Sequence, residues 1–360
     1  MTNQTEFRAA SILFILFVSL FPGRFASAQQ SIRTAGSLPD NEIRKLLIDN
    51  KIPVLGLGVI RDGKLAEVKV YGEFKAGEGA PSDTIFNVAS LTKPVVAMVT
   101  LKLASAGKLN LDEPLDKYWI DPDIKADARH KKLTARLVLS HQTGFANWRS
   151  LNQSKKLEFA FEPGTKYQYS GEGFEYLRKA LENKFKTKLD KLAEKLVFKP
   201  YGMRDTRFFW DARMTEARFA VGYDAAGKAY KIPKNTSANA ADDLLTTVED
   251  YGKFLVSVMN GEGLSKTIFA EMTRHQVKTK ENKYFGLGWE IYDLGVGEYA
   301  LSHGGSDEGS KTIVFLLPKS KQGLIIFTNS DNGTNLYLKL ITEYLKDAGK
   351  RIIDIEMKAE

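Results

Sequence analysis

Apolar and polar positions along the chain follow two periods, and the change from one to the other divides it. Residues 40–49 carry Ile43, Leu46 and Leu47 on one face behind the capping acid Asp40, which predicts an amphipathic helix. Residues 54–60 and 65–71 are apolar or β-branched runs joined by Arg61-Asp62-Gly63-Lys64, where the Asp-Gly pair predicts a hairpin. From 91 to 106 the apolar residues recur at helical spacing and Gly107 closes the segment, so a buried helix is expected there. Residues 109–260 alternate helical segments with Pro- and Gly-marked loops. Strand patterns return at 284–292, 298–303, 312–317 and 323–329, and a last helix is expected at 335–348, ending at Gly349.

Two early strands and about four late ones predict one antiparallel sheet assembled from both ends of the chain and flanked by helices. The expected class is therefore α+β: an α/β sandwich from 40–108 and 262–350, with an all-α region at 109–261 inserted between its halves. The first residues read as an address. Arg8 precedes an apolar run at 9–21, Pro22-Gly23 break it, and Ala26-Ser27-Ala28 has the form of a signal-peptidase site. Residues 1–28 are expected to be a signal peptide, because the run falls short of the roughly 20 apolar residues that span hydrocarbon. The mature chain is then periplasmic or secreted, without a stable membrane anchor.

Composition narrows the chemistry. The 360 residues contain no cysteine, which excludes disulfides, thiolate metal sites and a cysteine nucleophile. The four histidines, His130, His141, His275 and His303, show no H-x-x-x-H spacing, so no metal and no cofactor is expected. No serine has the G-x-S-x-G surroundings of a nucleophile elbow. The net charge of +8 is spread thinly and interleaved with acids, which reads as solvated basic faces rather than a nucleic-acid surface.

A serine followed three residues later by lysine on a helix places both side chains on one face, close enough to share a proton. The pattern occurs at Ser90-Leu91-Thr92-Lys93 and again at Ser105-Ala106-Gly107-Lys108. Ser105 precedes a glycine at a helix end, where a lysine complements the dipole. Ser90 opens a helix, so an oxyanion beside it would face the positive helix end and free backbone N–H groups. Taken alone, the Ser90 pair reads equally well as an N-cap serine and a surface lysine.

Two further segments change that balance. Phe161-Glu162-Pro163-Gly164-Thr165-Lys166-Tyr167-Gln168-Tyr169-Ser170 resembles the Pro-Gly-then-Tyr-Ser-Asn motif of class C β-lactamases and related esterases and peptidases. Leu301-Ser302-His303-Gly304-Gly305-Ser306 resembles the third motif of the serine β-lactamase and penicillin-binding-protein superfamily in its His-x-Gly form. Leu139-Ser140-His141-Gln142-Thr143-Gly144, 245–250 and 286–289 also look like runs of that family, so the resemblance spans roughly residues 40–349.

The resemblance implies a serine hydrolase working through an acyl-enzyme, with Ser90 as nucleophile, Lys93 and Tyr169 handling protons, and His303 beside them. A phenolate at Tyr169 would need a nearby cation, for which Lys93 is the natural source, and a desolvated Lys93 could equally be the base. The family places the second oxyanion N–H at Ser306, opposite Ser90, after Gly304 and Gly305 on a strand edge. Two positions depart from the family: Gly171 stands where an asparagine would hold the substrate's amide, and His303 where a permanent cation would pair a β-lactam carboxylate. If His303 were protonated, binding of acidic substrates should weaken as pH rises through about 6 to 7. The expected substrate is a small molecule or peptide, including cell-wall-derived ones: a short-chain ester or D-amino-acyl peptide. A true β-lactamase or a non-turnover penicillin-binding sensor is the alternative.

Overall fold

A computed structural model of the chain describes residues 36–75 and 77–358; the expected signal peptide lies outside them. No helix among the described residues is long and apolar enough to cross a membrane. The strands are β1 (Val54–Arg61), β2 (Lys64–Lys75), β3 (Glu78–Gly79), β4 (Phe86–Asn87), β5 (Leu245–Thr246), β6 (Val277–Lys280), β7 (Lys283–Phe285), β8 (Glu290–Gly295), β9 (Glu298–Asp307), β10 (Ser310–Leu317) and β11 (Gln322–Thr328). The helices are α1 (Asp40–Asp49), α2 (Thr92–Ser105), α3 (Ala135–Leu139), α4 (Gly171–Phe185), α5 (Leu189–Ala193), α6 (Lys199–Tyr201), α7 (Val248–Met259), α8 (Lys266–Met272) and α9 (Tyr337–Met357).

Nine strands form one antiparallel sheet in the order β3-β2-β1-β11-β10-β9-β8-β7-β6, so the two ends of the chain meet where β1 pairs with β11. The β1–β2 hairpin turns at Asp62 (φ 52°) and Gly63 (φ 72°), two successive positive φ values that match the right-handed twist of the strands. The central strands are apolar throughout because both their faces are covered. Leu55, Leu57 and Val59 pack with Ile43 and Leu47 of α1 and Leu340 and Tyr344 of α9. Val54 and Ile60 face the other way, into the large core shared by α2, α7 and the helical region. The mixed α+β architecture is thus an antiparallel sheet between helical layers.

The helix α7, which sequence alone places in the helical part, lies on the sheet. Gly56 and Gly58 of β1 leave room for it: a Cβ on either would stand within 2.9 Å of Val248. The stretch 284–292 is not one strand but β7 and β8, separated by Gly286-Leu287-Gly288-Trp289. That turn leaves the sheet to dock on α2, where a Cβ on Gly288 would meet Ala97 at 2.3 Å. The last helix does not stop at Gly349. The chain kinks at Lys346 (φ 50°, ψ −122°) and continues to Met357, and a Cβ on Gly349 would lie 2.2 Å from the Ile341 carbonyl. The unanticipated β6, Val277-Lys278-Thr279-Lys280, is a polar edge strand whose lysines give no apolar alternation to read.

Candidate active site

Ser90 does not open the α-helix itself; it sits in a 3-10 turn, Ala89–Leu91, that leads into α2. The preceding Ala89 has φ 49°, a left-handed conformation that costs a non-glycine residue energy and persists because its neighbours impose it. The Ala89 N–H donates to Asn87 Oδ1 at 2.8 Å, and Thr92 Oγ1 donates to the Ala89 carbonyl at 2.6 Å. Thr92 Oγ1 in turn accepts from the Leu244 N–H at 3.0 Å, which ties the turn to the segment before β5. Pro94 falls in the first turn of α2, where no intrahelical bond is lost.

Lys93 Nζ lies 2.9 Å from Ser90 Oγ and 2.7 Å from the Ala241 carbonyl, and the lysine is 1% exposed. Burial pushes its ammonium down to about 7, and the charge of Asp242 pulls the other way. With one N–H committed to Ala241, the free amine has its lone pair available to the Ser90 hydroxyl. Tyr169 is half-buried with its hydroxyl oxygen shielded from solvent, and Lys93 Nζ stands over its ring, 4.6 Å from the centroid. Burial raises the Tyr169 phenol well above the ordinary range, and the nearby Ser90 only partly offsets this. A cation over the ring face does not stabilise charge on the oxygen as one beside it would. Of the two bases open from sequence, the structure therefore favours Lys93 and leaves Tyr169 a phenol near Ser90.

The backbone on both sides of Tyr169 is held by His141, to which sequence assigned no role at the site. His141 Nδ1 accepts from the Ser170 N–H at 3.0 Å, and the His141 carbonyl accepts from the Gln168 N–H at 2.8 Å. Its ring packs on that of Tyr169 at 4.3 Å between centroids. An accepting Nδ1 requires a neutral imidazole; burial and then Lys93 and His303 hold its pKa well below the ordinary value. Nothing local marks this role, because the contact spans 29 residues.

The opposite wall is β9. A Cβ on Gly305 would lie 2.3 Å from the Val88 carbonyl, 2.4 Å from Thr312 Oγ1 and 3.2 Å from the Ser90 nitrogen. Glycine is thus required where the strand crosses the nucleophile turn, and Ser306 follows on the exposed side. Gly304 has no such crowding, its nearest contact being the Thr312 carbonyl at 3.7 Å. The His303 ring lies 6.0 Å from that of Tyr169, and Nδ1 donates to the Gly304 carbonyl at 2.7 Å. Burial and then Lys93 push His303 down to about 3. With its pKa held this low, His303 favours the neutral form at neutral pH, so the pH signature that a protonated ring would give is not expected.

The two buried histidines predict acid sensitivity. Their folded-state pKa values lie below the unfolded value of about 6.5, so between the two the unfolded chain binds more protons and stability falls as pH falls. From pH 6.5 downward each should cost about 1.4 kcal/mol per pH unit until its folded pKa is reached. Urea midpoints at pH 7 and 5 measure this, and His303→Gln should remove about half of the dependence; a flat wild-type profile would contradict it.

The sequence profile of the Beta-lactamase family matches residues 39–346. The chain belongs to this family of serine hydrolases. It is 22% identical over 330 residues to "Protein flp" of Staphylococcus aureus, covering 85% of this chain but 64% of that protein, less than two thirds of its length. Esterase EstB of Burkholderia gladioli is 28% identical over 196 residues, 46% of this chain and 48% of the esterase. Among solved structures, the D-amino acid amidase of Ochrobactrum anthropi SV3 superposes with a TM-score of 0.70 at 22% identity, over 88% of this chain and 98% of the amidase. A D-alanine carboxypeptidase AmpC from Burkholderia cenocepacia gives 0.69 at 20% identity, over 87% and 97%. At these identities the structural likeness establishes the fold alone.

Within the family frame, the departure at Gly171 has a local cause. A Cβ there would meet the Trp148 indole at 2.8 Å, and the Gly171 N–H already donates to Asn147 Oδ1 at 2.8 Å. Gly171 therefore offers substrate neither a side chain nor a free backbone donor. Trp148 also lines a polar cavity of about 640 Å³ with Trp119, Arg149, Glu172, Asn239 and Asp243. Ser90 does not line this cavity. Among the described residues, one trio, Asp242, Asp243 and Asp307, brings potential metal-ligating atoms within 4.8 Å of one another.

Proposed function

We propose that the chain is an exported hydrolase that cleaves an ester or a D-amino-acyl amide through an acyl-enzyme at Ser90. The observation that carries this is the buried Lys93 amine 2.9 Å from Ser90 Oγ. As the free amine it accepts the Ser90 proton while Oγ bonds to the substrate carbonyl carbon. The oxyanion then faces the N–H groups of Ser90 and Ser306. As the bond to the leaving group breaks, the proton held by Lys93 returns to that group by way of the Tyr169 phenol, which gives one proton and regains another. Water repeats the sequence on the acyl-enzyme, and Ser90 recovers its proton. Ala26-Ser27-Ala28 after the apolar run supports export of the chain.

The substrate class follows from what the site lacks. Trp148 fills the space over Gly171, and His303 is neutral. A carboxylated β-lactam would thus lose an amide contact and a charge-assisted one, on the order of 1 to 3 kcal/mol each. An ester that carries neither group loses nothing. The similarity to an esterase, a D-amino acid amidase and a D-alanine carboxypeptidase supports the same class. Purified enzyme assayed side by side on a short-chain p-nitrophenyl ester, a D-Ala-D-Ala peptide and nitrocefin should turn over nitrocefin slowest. Nitrocefin turnover above the ester rate would overturn the ranking, and acylation by a penicillin without release would make the protein a sensor.

A further inference from the structure

Helix α3 ends on a residue that its position does not favour. The Gln142 N–H donates to the Leu137 carbonyl at 2.8 Å and the His141 N–H to the Val138 carbonyl at 3.0 Å, the pair of bonds that closes a helix on a left-handed residue. That residue is His141, with φ 56°. Glycine is the usual occupant of such a position, because a side chain is strained there. The imidazole brings a second cost. With Nδ1 accepting from the Ser170 N–H, the ring proton resides on Nε2, which is buried without a hydrogen-bond partner among the described residues. A strained backbone and an unpaired donor at one buried residue point to a task for its side chain.

That task is visible in what the ring reaches. It packs on Tyr169 at 4.3 Å between centroids, and Phe285 at 4.7 Å and Phe174 at 5.3 Å pack on it in turn. The imidazole takes the Ser170 N–H, and the His141 carbonyl takes the Gln168 N–H, so a single residue fixes the chain before and after Tyr169. Ser170 also caps α4, its Oγ accepting from the Gly173 N–H at 3.0 Å, which anchors the tether in a 15-residue helix. Lys93 Nζ stands 4.6 Å from the Tyr169 ring centroid and 2.9 Å from Ser90 Oγ. The place of the phenol beside these two groups is therefore set through His141.

We propose that His141 is a positioning residue for the return of the proton to the leaving group: it holds the backbone around Tyr169 so that the phenol stands between Lys93 and the departing atom. This rests on the reading of Tyr169 as the group that passes on the Lys93 proton. In that step the bond from the carbonyl carbon to the leaving oxygen or nitrogen breaks and its electron pair stays with the leaving atom. That atom takes the Tyr169 proton while Lys93 gives its own to Tyr169. A p-nitrophenolate departs without a proton, whereas an alkoxide or an amine nitrogen needs one. A displaced phenol thus harms the second kind of substrate more than the first, and a generally loosened site harms both alike.

The experiment measures kcat/KM, which reports the steps through acylation, on an ethyl ester and a p-nitrophenyl ester of the same acyl group, for the wild type, Tyr169→Phe, His141→Gly and His141→Asn. His141→Gly relieves the backbone and removes the acceptor. His141→Asn keeps an acceptor, because its Oδ1 stands as many bonds from Cα as the histidine Nδ1, and asparagine tolerates the left-handed conformation. His141→Gly should lower the ethyl-ester value by roughly 10²-fold and the p-nitrophenyl value by no more than about 10-fold, and His141→Asn should recover most of the loss. An equal loss on both esters in His141→Gly, or an asparagine variant no better than the glycine one, overturns the inference. If His141→Gly does not fold, His141→Leu, which keeps volume without an acceptor, is decided by the same comparison. If Tyr169→Phe shows no preference between the leaving groups, the reading of Tyr169 fails and the inference with it; if Tyr169→Phe shows one and the His141 variants do not, the role of His141 alone fails.

Discussion

Ser90→Ala should lower turnover of a p-nitrophenyl ester by roughly 10⁴-fold or more, because the covalent route disappears and only positioning and oxyanion contacts remain. The fold should be unaffected. Ser90 is 9% exposed and its hydroxyl meets Lys93, so the substitution removes one oxygen from the edge of the site. Intact-mass measurement supplies the second readout: an acyl adduct on the wild type during the burst, and none on the variant. Ser105, the other serine of a Ser-x-x-Lys pattern, accepts from the Ser265 N–H at 3.1 Å on an exposed surface. It lies at the far end of α2, about 20 Å from Ser90 at the helical rise of 1.5 Å per residue. Ser105→Ala should leave the rate unchanged. A Ser105 variant that lost activity while Ser90→Ala kept it would reverse the assignment of the nucleophile.

That distinction could be drawn from sequence because it depends on local order: one serine enters a helix and the other leaves it. The strands were legible for a related reason. Leu55, Leu57 and Val59 alternate with Val54 and Ile60 in a run buried on both faces, and the Asp62-Gly63 turn pairs β1 with β2. What sequence could not show is which buried faces meet. The periodicity of α7 announces an apolar face, but only Gly56 and Gly58, distant in the chain, show that the face lies on β1. Gly288 falls inside an expected strand and Gly349 reads as a helix end, whereas each is required by a close approach to another residue.

The candidate site divides in the same way. Ser90 and Lys93 are three residues apart, and Tyr169 and His303 lie in runs with a recognisable order. His141 and the Ala241 carbonyl act through contacts that exist only after folding, one across to the backbone beside Tyr169 and the other to the Lys93 amine. The protonation states were likewise beyond reach. Whether His303 is a cation or neutral, and whether Tyr169 or Lys93 is the base, depends on burial that no spacing encodes.

Lys93→Met should lower turnover by roughly 10³- to 10⁴-fold while leaving the protein as stable as the wild type or more so. The loss of activity follows from removing the group that takes the Ser90 proton; Tyr169, held as a phenol by burial, is a poor substitute. The gain in stability follows from the same burial. The Lys93 pKa is lowered in the folded state, so between about 7 and the unfolded value of about 10.4 the unfolded chain binds the extra proton, and wild-type stability rises with pH across that window. At pH 7 the folded protein therefore carries the cost of a desolvated amine, which methionine of similar volume does not. The substitution should raise stability by on the order of 1 to 3 kcal/mol at pH 7 and flatten its dependence between pH 7 and 10. Urea denaturation of both proteins at pH 7 and 9.5, beside ester turnover, tests both parts. A variant that is inactive and markedly less stable would show that Lys93 holds the fold through Ala241 rather than being maintained at a cost in stability for the chemistry at Ser90.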